Sequence, residues 1–200
     1  MRLRPLVLGY LLVLPAAFAL SLDRPLGGLP SAEAGVSVLL GLGELATSSS
    51  AVVVGTPGDK VSLWEEAAGR RIVTYTQVHV DRTVAGEAGS NVWIRTLGGA
   101  VGDVGQEVSG EPRIDRGTKS LLFLRKRGNV YSITGRGQGL YPIVTDKKGV
   151  SRVTPSPDAG LLVATPGPVE PARDSLSGKL LDTAIALIRK AREASHEKKD

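Results

Sequence analysis

RIVTYTQVHVDRTV, residues 71–84, decides how the rest of the chain is read. Ile72, Thr74, Thr76, Val78 and Val80 fall on one side of a period-two alternation; Val73, Tyr75, Gln77, His79 and Asp81 fall on the other. β-Branched and aromatic residues crowd the stretch, as they do where side chains stand on a pleated, half-buried surface. A long strand over Arg71–Val84 follows. Immediately upstream, Ala51-Val52-Val53-Val54-Gly55 reads as a buried strand. Thr56–Lys60 reads as a turn, Val61–Trp64 as a continuation of that strand, and Glu65–Arg70 as a polar loop. Downstream, Gly86–Ser90 is a turn, and Asn91–Leu97 is a strand with Val92, Ile94 and Thr96 on one face.

Further outward, Gly98–Gly117 holds Gly98, Gly99, Gly102, Gly105, Gly110, Gly117 and Pro112, and is expected to be a long irregular connection of the kind that carries function. Leu121–Leu124 is apolar on both faces, as a central strand is. Arg125–Asn129 is a hairpin loop, Val130–Thr134 a returning strand and Gly135–Gly139 a glycine kink. Leu140–Thr145 and Val150–Val153 are strands about the turn Asp146–Gly149. The chain then passes through a Pro-rich linker, 154–174, in which Leu161-Leu162-Val163 has the composition of a short strand. An amphipathic helix over Ser175–Ala194 follows, with Leu176, Leu180, Leu181, Ala184, Ile185, Leu187, Ile188 and Ala191 on one face, and then a charged tail. Near the N-terminus a short helix is expected over Val38–Ser48. The fold class that follows is mainly β. It is a small closed or nearly closed antiparallel barrel of OB-like type over 36–153, with a short N-terminal helix and a C-terminal amphipathic helix over 175–200.

The first residues have a different character. Arg2 and Arg4 precede an apolar run, Leu6–Leu14, which Pro15 ends; Ala17-Phe18-Ala19 then gives the small-x-small pattern of a signal-peptidase site. The run is short against the roughly 20 residues that cross a bilayer. The expectation is a signal peptide over 1–19, cleaved near Ala19, a disordered leader over 20–35, and a periplasmic or extracellular mature protein without a transmembrane segment. Losing Arg2 and Arg4 lowers the formal charge from +5 to +3. Charges of both signs are interspersed, so a nucleic-acid partner, which needs a concentrated basic patch, is not expected. The chain has no cysteine, which excludes thiol catalysis, thiolate metal sites and a lipoprotein anchor.

Trp64-Glu65-Glu66, Thr74-Tyr75-Thr76, Arg95-Thr96-Leu97-Gly98-Gly99, Gln106-x-Val108-Ser109-Gly110-Glu111-Pro112, Leu121-Leu122-Phe123-Leu124 and Gln138-Gly139-x-Tyr141 occur in that order. The set resembles a group of uncharacterised secreted bacterial β-domain proteins and covers Ala51–Val144. More remotely, the course of strands resembles the OB-fold barrels of netrin-like, metalloproteinase-inhibitor domains. Those present an inhibitory edge through an N-terminal cysteine and disulfides. In a chain without cysteine, the resemblance implies the barrel and not that mechanism.

Catalytic chemistry finds little support. His79 with Asp81 as orienter and Ser109 as nucleophile would make a triad, but alternate residues on a strand lie about 7 Å apart, too far for a direct hydrogen bond. Ser109 is in no nucleophile elbow. Asp103, Glu107, Glu111 and Asp115 match no calcium-loop spacing, so neither a metal nor another cofactor is expected. Gly135-x-Gly137-x-Gly139 lacks the strand-turn-helix setting of a phosphate cradle. Arg125, Lys126, Arg127 and Arg136 read first as solvated hairpin charges. Half-buried strand aromatics are usually packing, yet aromatic and polar groups together on a sheet are also a common binding platform. The candidate contact residues are therefore Trp64, Tyr75, Trp93, Arg95, Gln106, Ser109, Glu111, Gln138 and Tyr141. The functional expectation is a non-enzymatic binding module that engages another exported protein; the alternative is a secreted enzyme or protease-inhibitor-like domain with its site in Gly98–Gly117.

Overall fold

A computed structural model describes residues 36–66, 69–164 and 170–196. The expected signal peptide, the leader up to residue 35 and the end of the tail lie outside the described residues. In chain order the elements are β1 (Val36–Val38), α1 (Leu42–Thr47), β2 (Ala51–Glu65), β3 (Arg71–Gly86), β4 (Asn91–Leu97), β5 (Gly99–Val101) and β6 (Val104–Gln106). They continue with β7 (Ser120–Arg127), β8 (Val130–Ile133), β9 (Leu140–Thr145), β10 (Ser151–Val153), β11 (Leu161–Val163), α2 (Ala172–Leu176) and α3 (Leu181–His196). Short 3₁₀ turns occupy Arg136–Gly139 and Pro157–Ala159.

The fold is mainly β. One seven-stranded sheet runs β10-β9-β7-β2-β3-β4-β8, and a further pairing of β7 with β8 closes β2, β3, β4, β8 and β7 into a hydrogen-bonded ring. One edge of β7 serves two neighbours. Ser120–Leu122 pair with β9, and Leu124–Arg127 pair with β8. All contacts in the ring are antiparallel except β4–β8, which is parallel and registers at a single pair, Ile94↔Tyr131.

The alternation along β2 and β7 divides the core into two layers. Ala51, Val53, Leu122 and Leu124 point into the ring with Val78, Val92, Ile94, Tyr131, Ile133 and Leu140. Val52, Val54, Leu121 and Phe123 point outward and are covered by Leu45 of α1, Leu176 of α2 and Ala184, Ile185 and Ile188 of α3. Strands apolar on both faces are required by such a two-sided burial. Each fully buried Leu or Ile stabilises by about 1.5–3 kcal/mol. The C-terminal helix is thus docked on the sheet, and no described helix is long and apolar enough to cross a membrane.

Several expectations differ from what is observed. Thr56–Lys60, expected as a turn, lies inside the continuous β2, where a register shift between Pro57 and Lys60 takes up the irregularity. The N-terminal helix is shorter than Val38–Ser48, because Val36–Val38 instead pair in parallel with Leu161–Val163. The C-terminal helix is two helices. Gly178 takes φ +71, its N–H donates to the Val153 carbonyl, and Val153 N–H donates to the Lys179 carbonyl, so the chain bonds to β10 where a helix would bond to itself. The Gly98–Gly117 connection is not wholly irregular, since β5 and β6 pair across it.

Candidate functional site

The single β4–β8 pair leaves a seam in the ring, and backbone alternation says which groups face it. Gly98 N–H donates to Ile72 O, and Val80 N–H donates to Ser90 O. These two bonds fix the even-numbered residues of β4 as the ones bonded to β3. The odd-numbered ones, Arg95 and Leu97 among them, direct their N–H and C=O groups toward β8. Past Ile94 the ladder with β8 stops, and Leu97 N–H would be orphaned. Glu111 fills that place: Oε1 accepts from Leu97 N at 3.0 Å, and Oε2 accepts from Arg136 Nε at 3.2 Å. Its side chain is 13 % exposed, so a carboxylate is inserted into the wall of the ring and neutralised there. Arg136 receives it from a left-handed backbone, φ +57, directly after Gly135 at φ +66. A non-glycine residue in that region stores about 1–2 kcal/mol of strain. The Arg136 ion pair helps hold the turn.

Over the outer surface of this seam lies a groove of about 570 Å³, walled by Glu65, Tyr75, Arg95, Glu111, Arg125, Arg127, Ser132 and Arg136, among others. Register explains the convergence. Tyr75 pairs with Arg95, Arg125 with Ser132, and Arg127 with Val130, so one outward row runs from β3 across β4 and β8 to β7. Four arginines meet two glutamates, and each glutamate is engaged at both oxygens. Glu65 Oε1 accepts from Arg95 Nε at 3.2 Å, while Oε2 accepts from Arg71 Nη2 at 2.9 Å and also from Arg95 Nη2. The Arg95 guanidinium first, and that of Arg71 second, hold the Glu65 carboxyl below its ordinary range. It is therefore ionised at neutral pH. Among the described residues Arg125 bonds through Nε alone, to the Ser48 carbonyl at 3.2 Å. Arg127 is exposed.

The candidate contact residues fall in several places. Tyr75, Arg95 and Glu111 line the groove. Gln138 and Tyr141 border a separate hollow of about 420 Å³ beside Leu40, Pro157 and Ala172. There Gln138 ties down the N-terminal segment, its Oε1 accepting from Leu40 N and its Nε2 donating to Val38 O, both at 2.9 Å. Tyr141 is buried edge-on against Phe123, and burial raises the pKa of its phenol. Gln106 accepts from Ile72 N at 2.6 Å, bracing the β6 ribbon against β3. Ser109 lines a third hollow with Glu107, Arg113 and Asp158. Trp93 is 40 % exposed on the outer face of β4. Trp64 pairs with Ile72, on the opposite face from Tyr75, and stacks under Arg70 at 4.5 Å. The aromatic residues therefore do not share one platform.

Two residues of the weighed triad, His79 and Asp81, have other partners. His79 Nδ1 lies 3.4 Å from Asn91 Oδ1, and Asp81 accepts from Thr56 Oγ1 at 2.9 Å and pairs with Lys119 at 3.5 Å. Among the described residues no group of three or more His, Asp or Glu side chains is placed to hold a metal ion. The sequence reads Arg125, Arg127 and Arg136 first as solvated charges and does not single out Glu65 or Ser132 as site residues. The available signal was the odd-numbered alternation that sets Arg95 beside Tyr75. Comparisons with protein-family models, curated proteins and solved structures found no match.

Proposed function

We propose that this chain is an exported, non-enzymatic binding module on an OB-like barrel, and that its contact surface is the groove over the β4–β8 seam. The ring order β2-β3-β4-β8-β7, with its one parallel contact between the third and fifth strands, supports the OB-like reading. The N-terminal pattern of Arg2, Arg4, Leu6–Leu14 and Ala17–Ala19 supports export.

One observation carries the binding reading. The groove's carboxylates are both held at each oxygen by arginines or a backbone N–H, while among the described residues the terminal nitrogens of Arg125 and the guanidinium of Arg127 have no acceptor. A general base needs a free oxygen beside the proton it takes. This groove instead offers donors, set on strands that fix their spacing, which is what recognition of a partner requires.

The test is a photo-crosslinking residue at Ser132, in the middle of the groove, with Lys148 in the β9–β10 turn as the control position. In the exporting cell, Ser132 is expected to give a discrete adduct that Lys148 does not. Identical adduct patterns, or none from Ser132, would refute the reading.

A further inference from the structure

We infer that the groove recognises a carboxylate-bearing extended segment of a partner polypeptide, with acidic side chains at alternate positions. The inference rests on the binding reading above and specifies its chemistry. Three observations lead to it.

The first is spacing. Arg125 and Arg127 are alternate residues on β7 and pair with Ser132 and Val130 across the hairpin. Alternate residues on a strand project from the same face about 7 Å apart. Two side chains at i and i+2 of an extended peptide have the same spacing, so both carboxylates can be met at once.

The second is chemistry. The guanidinium fork matches the two oxygens of a carboxylate, and such charge-assisted pairs are the strong ones. Among the described residues nothing accepts from the terminal nitrogens of Arg125 or from the Arg127 guanidinium, so both retain donors for it. Arg95 and Arg136 are already committed to Glu65 and Glu111.

The third is an internal precedent. In this groove the chain places carboxylates of its own. Glu65 sits between Arg71 and Arg95, and Glu111 sits between the Leu97 N–H and Arg136. Each is bound by two different donors from different parts of the fold. The groove is thus built for planar carboxylates at two points along its walls, and the outer row at Arg125 and Arg127 repeats the donor type without the acid.

The experiment is calorimetric titration of the mature chain with a hexapeptide alternating glutamate and glycine. Its controls are the same peptide with glutamine for glutamate, inorganic phosphate, and free glutarate. Binding by the glutamate peptide alone, weakened by salt, is expected. Arg125→Ala and Arg127→Ala are each expected to lower affinity about tenfold, the loss of one charge-assisted contact. Lys148→Ala should leave affinity unchanged. Unfolding curves superimposable on the unaltered protein would establish that these exposed substitutions leave the fold intact.

Equal binding of phosphate, of glutarate or of the glutamine peptide would overturn the inference, as would an equal loss from Lys148→Ala or no binding of the glutamate peptide. If the Ser132 adduct persists while the glutamate peptide fails to bind, the carboxylate specificity is wrong and the binding reading stands. If the adduct is missing too, both fall.

Discussion

Removing the Glu111 carboxylate should open the ring at its seam. In Glu111→Ala the Leu97 N–H loses its acceptor and Arg136 loses its partner. An unpaired buried donor costs about 1–3 kcal/mol, and a partly exposed ion pair adds about 0.5–1 kcal/mol. The expected loss is about 1.5–4 kcal/mol, or a fall in Tm of roughly 3–16 °C for a domain of this size. Glu111→Gln keeps an oxygen for Leu97 and gives up only the charge toward Arg136, so its loss should be about 1 kcal/mol. Arg136→Gly loses the same ion pair but relieves the strain at φ +57, so it should stay within about 1 kcal/mol of the unaltered protein. Urea unfolding at neutral pH measures all three, with an unchanged m-value as the sign that the native state is otherwise intact. If Glu111→Gln falls as far as Glu111→Ala, the backbone acceptor is not the main contribution. If Glu111→Ala is within 0.5 kcal/mol of the unaltered protein, the seam is not held as argued, since that is the range of ordinary surface changes.

Gly99 takes φ +129, and a Cβ there would lie 2.2 Å from Thr74 Oγ1 and 2.6 Å from Ser62 Oγ. Gly99→Ala should therefore cost about 2 kcal/mol or more in thermal unfolding and displace the β5–β6 ribbon. Gln138→Ala releases Leu40 N and Val38 O. Amide exchange at Leu40 should accelerate by about tenfold or more while amides in β2 and β7 keep their protection. Because the Glu65 carboxyl is held below its ordinary value of 4.5, its contribution to stability is complete above that value and is lost as pH falls through the folded value. The difference in unfolding free energy between the unaltered protein and Glu65→Gln should be level above about pH 5.5 and shrink on acidification. A difference that grew in acid would mean that the Arg95 and Arg71 contacts do not set its charge.

Much of the β part was legible because its information is local. Asn91–Leu97 and Leu140–Thr145 are strands with the expected bounds, and Arg71–Val84 extends only to Gly86. Their alternation reflects burial on a sheet face, and that constraint acts residue by residue. Leu121–Leu124 signalled a strand covered on both sides, and Leu121 and Phe123 do meet the helices while Leu122 and Leu124 fill the ring. Elsewhere local preference was overruled. β5 and β6 contain Gly99, Ala100 and Gly105, poor strand formers, and are held by Gln106 reaching Ile72 N. The apolar spacing of Leu176, Leu180 and Ile185 continues through Gly178, so periodicity alone joins two helices that bonding to Val153 separates. Several motif residues that looked like contacts, Gln106, Glu111 and Gln138, are acceptors for backbone N–H groups that the topology would orphan. Sequence cannot assign that role, because the orphaned group belongs to a distant segment.

By itself, then, the sequence determined a mainly β fold, its principal strands and the lack of any cysteine, since all of these depend on composition or short-range periodicity. Tertiary structure alone decided where charge is concentrated. Arg95 lies on β4 and Arg125 and Arg127 on β7, and in the sequence they read as separate surface cations. They converge because β8 lies between β4 and β7, pairing with both, and because one register sets their side chains on the same outer face.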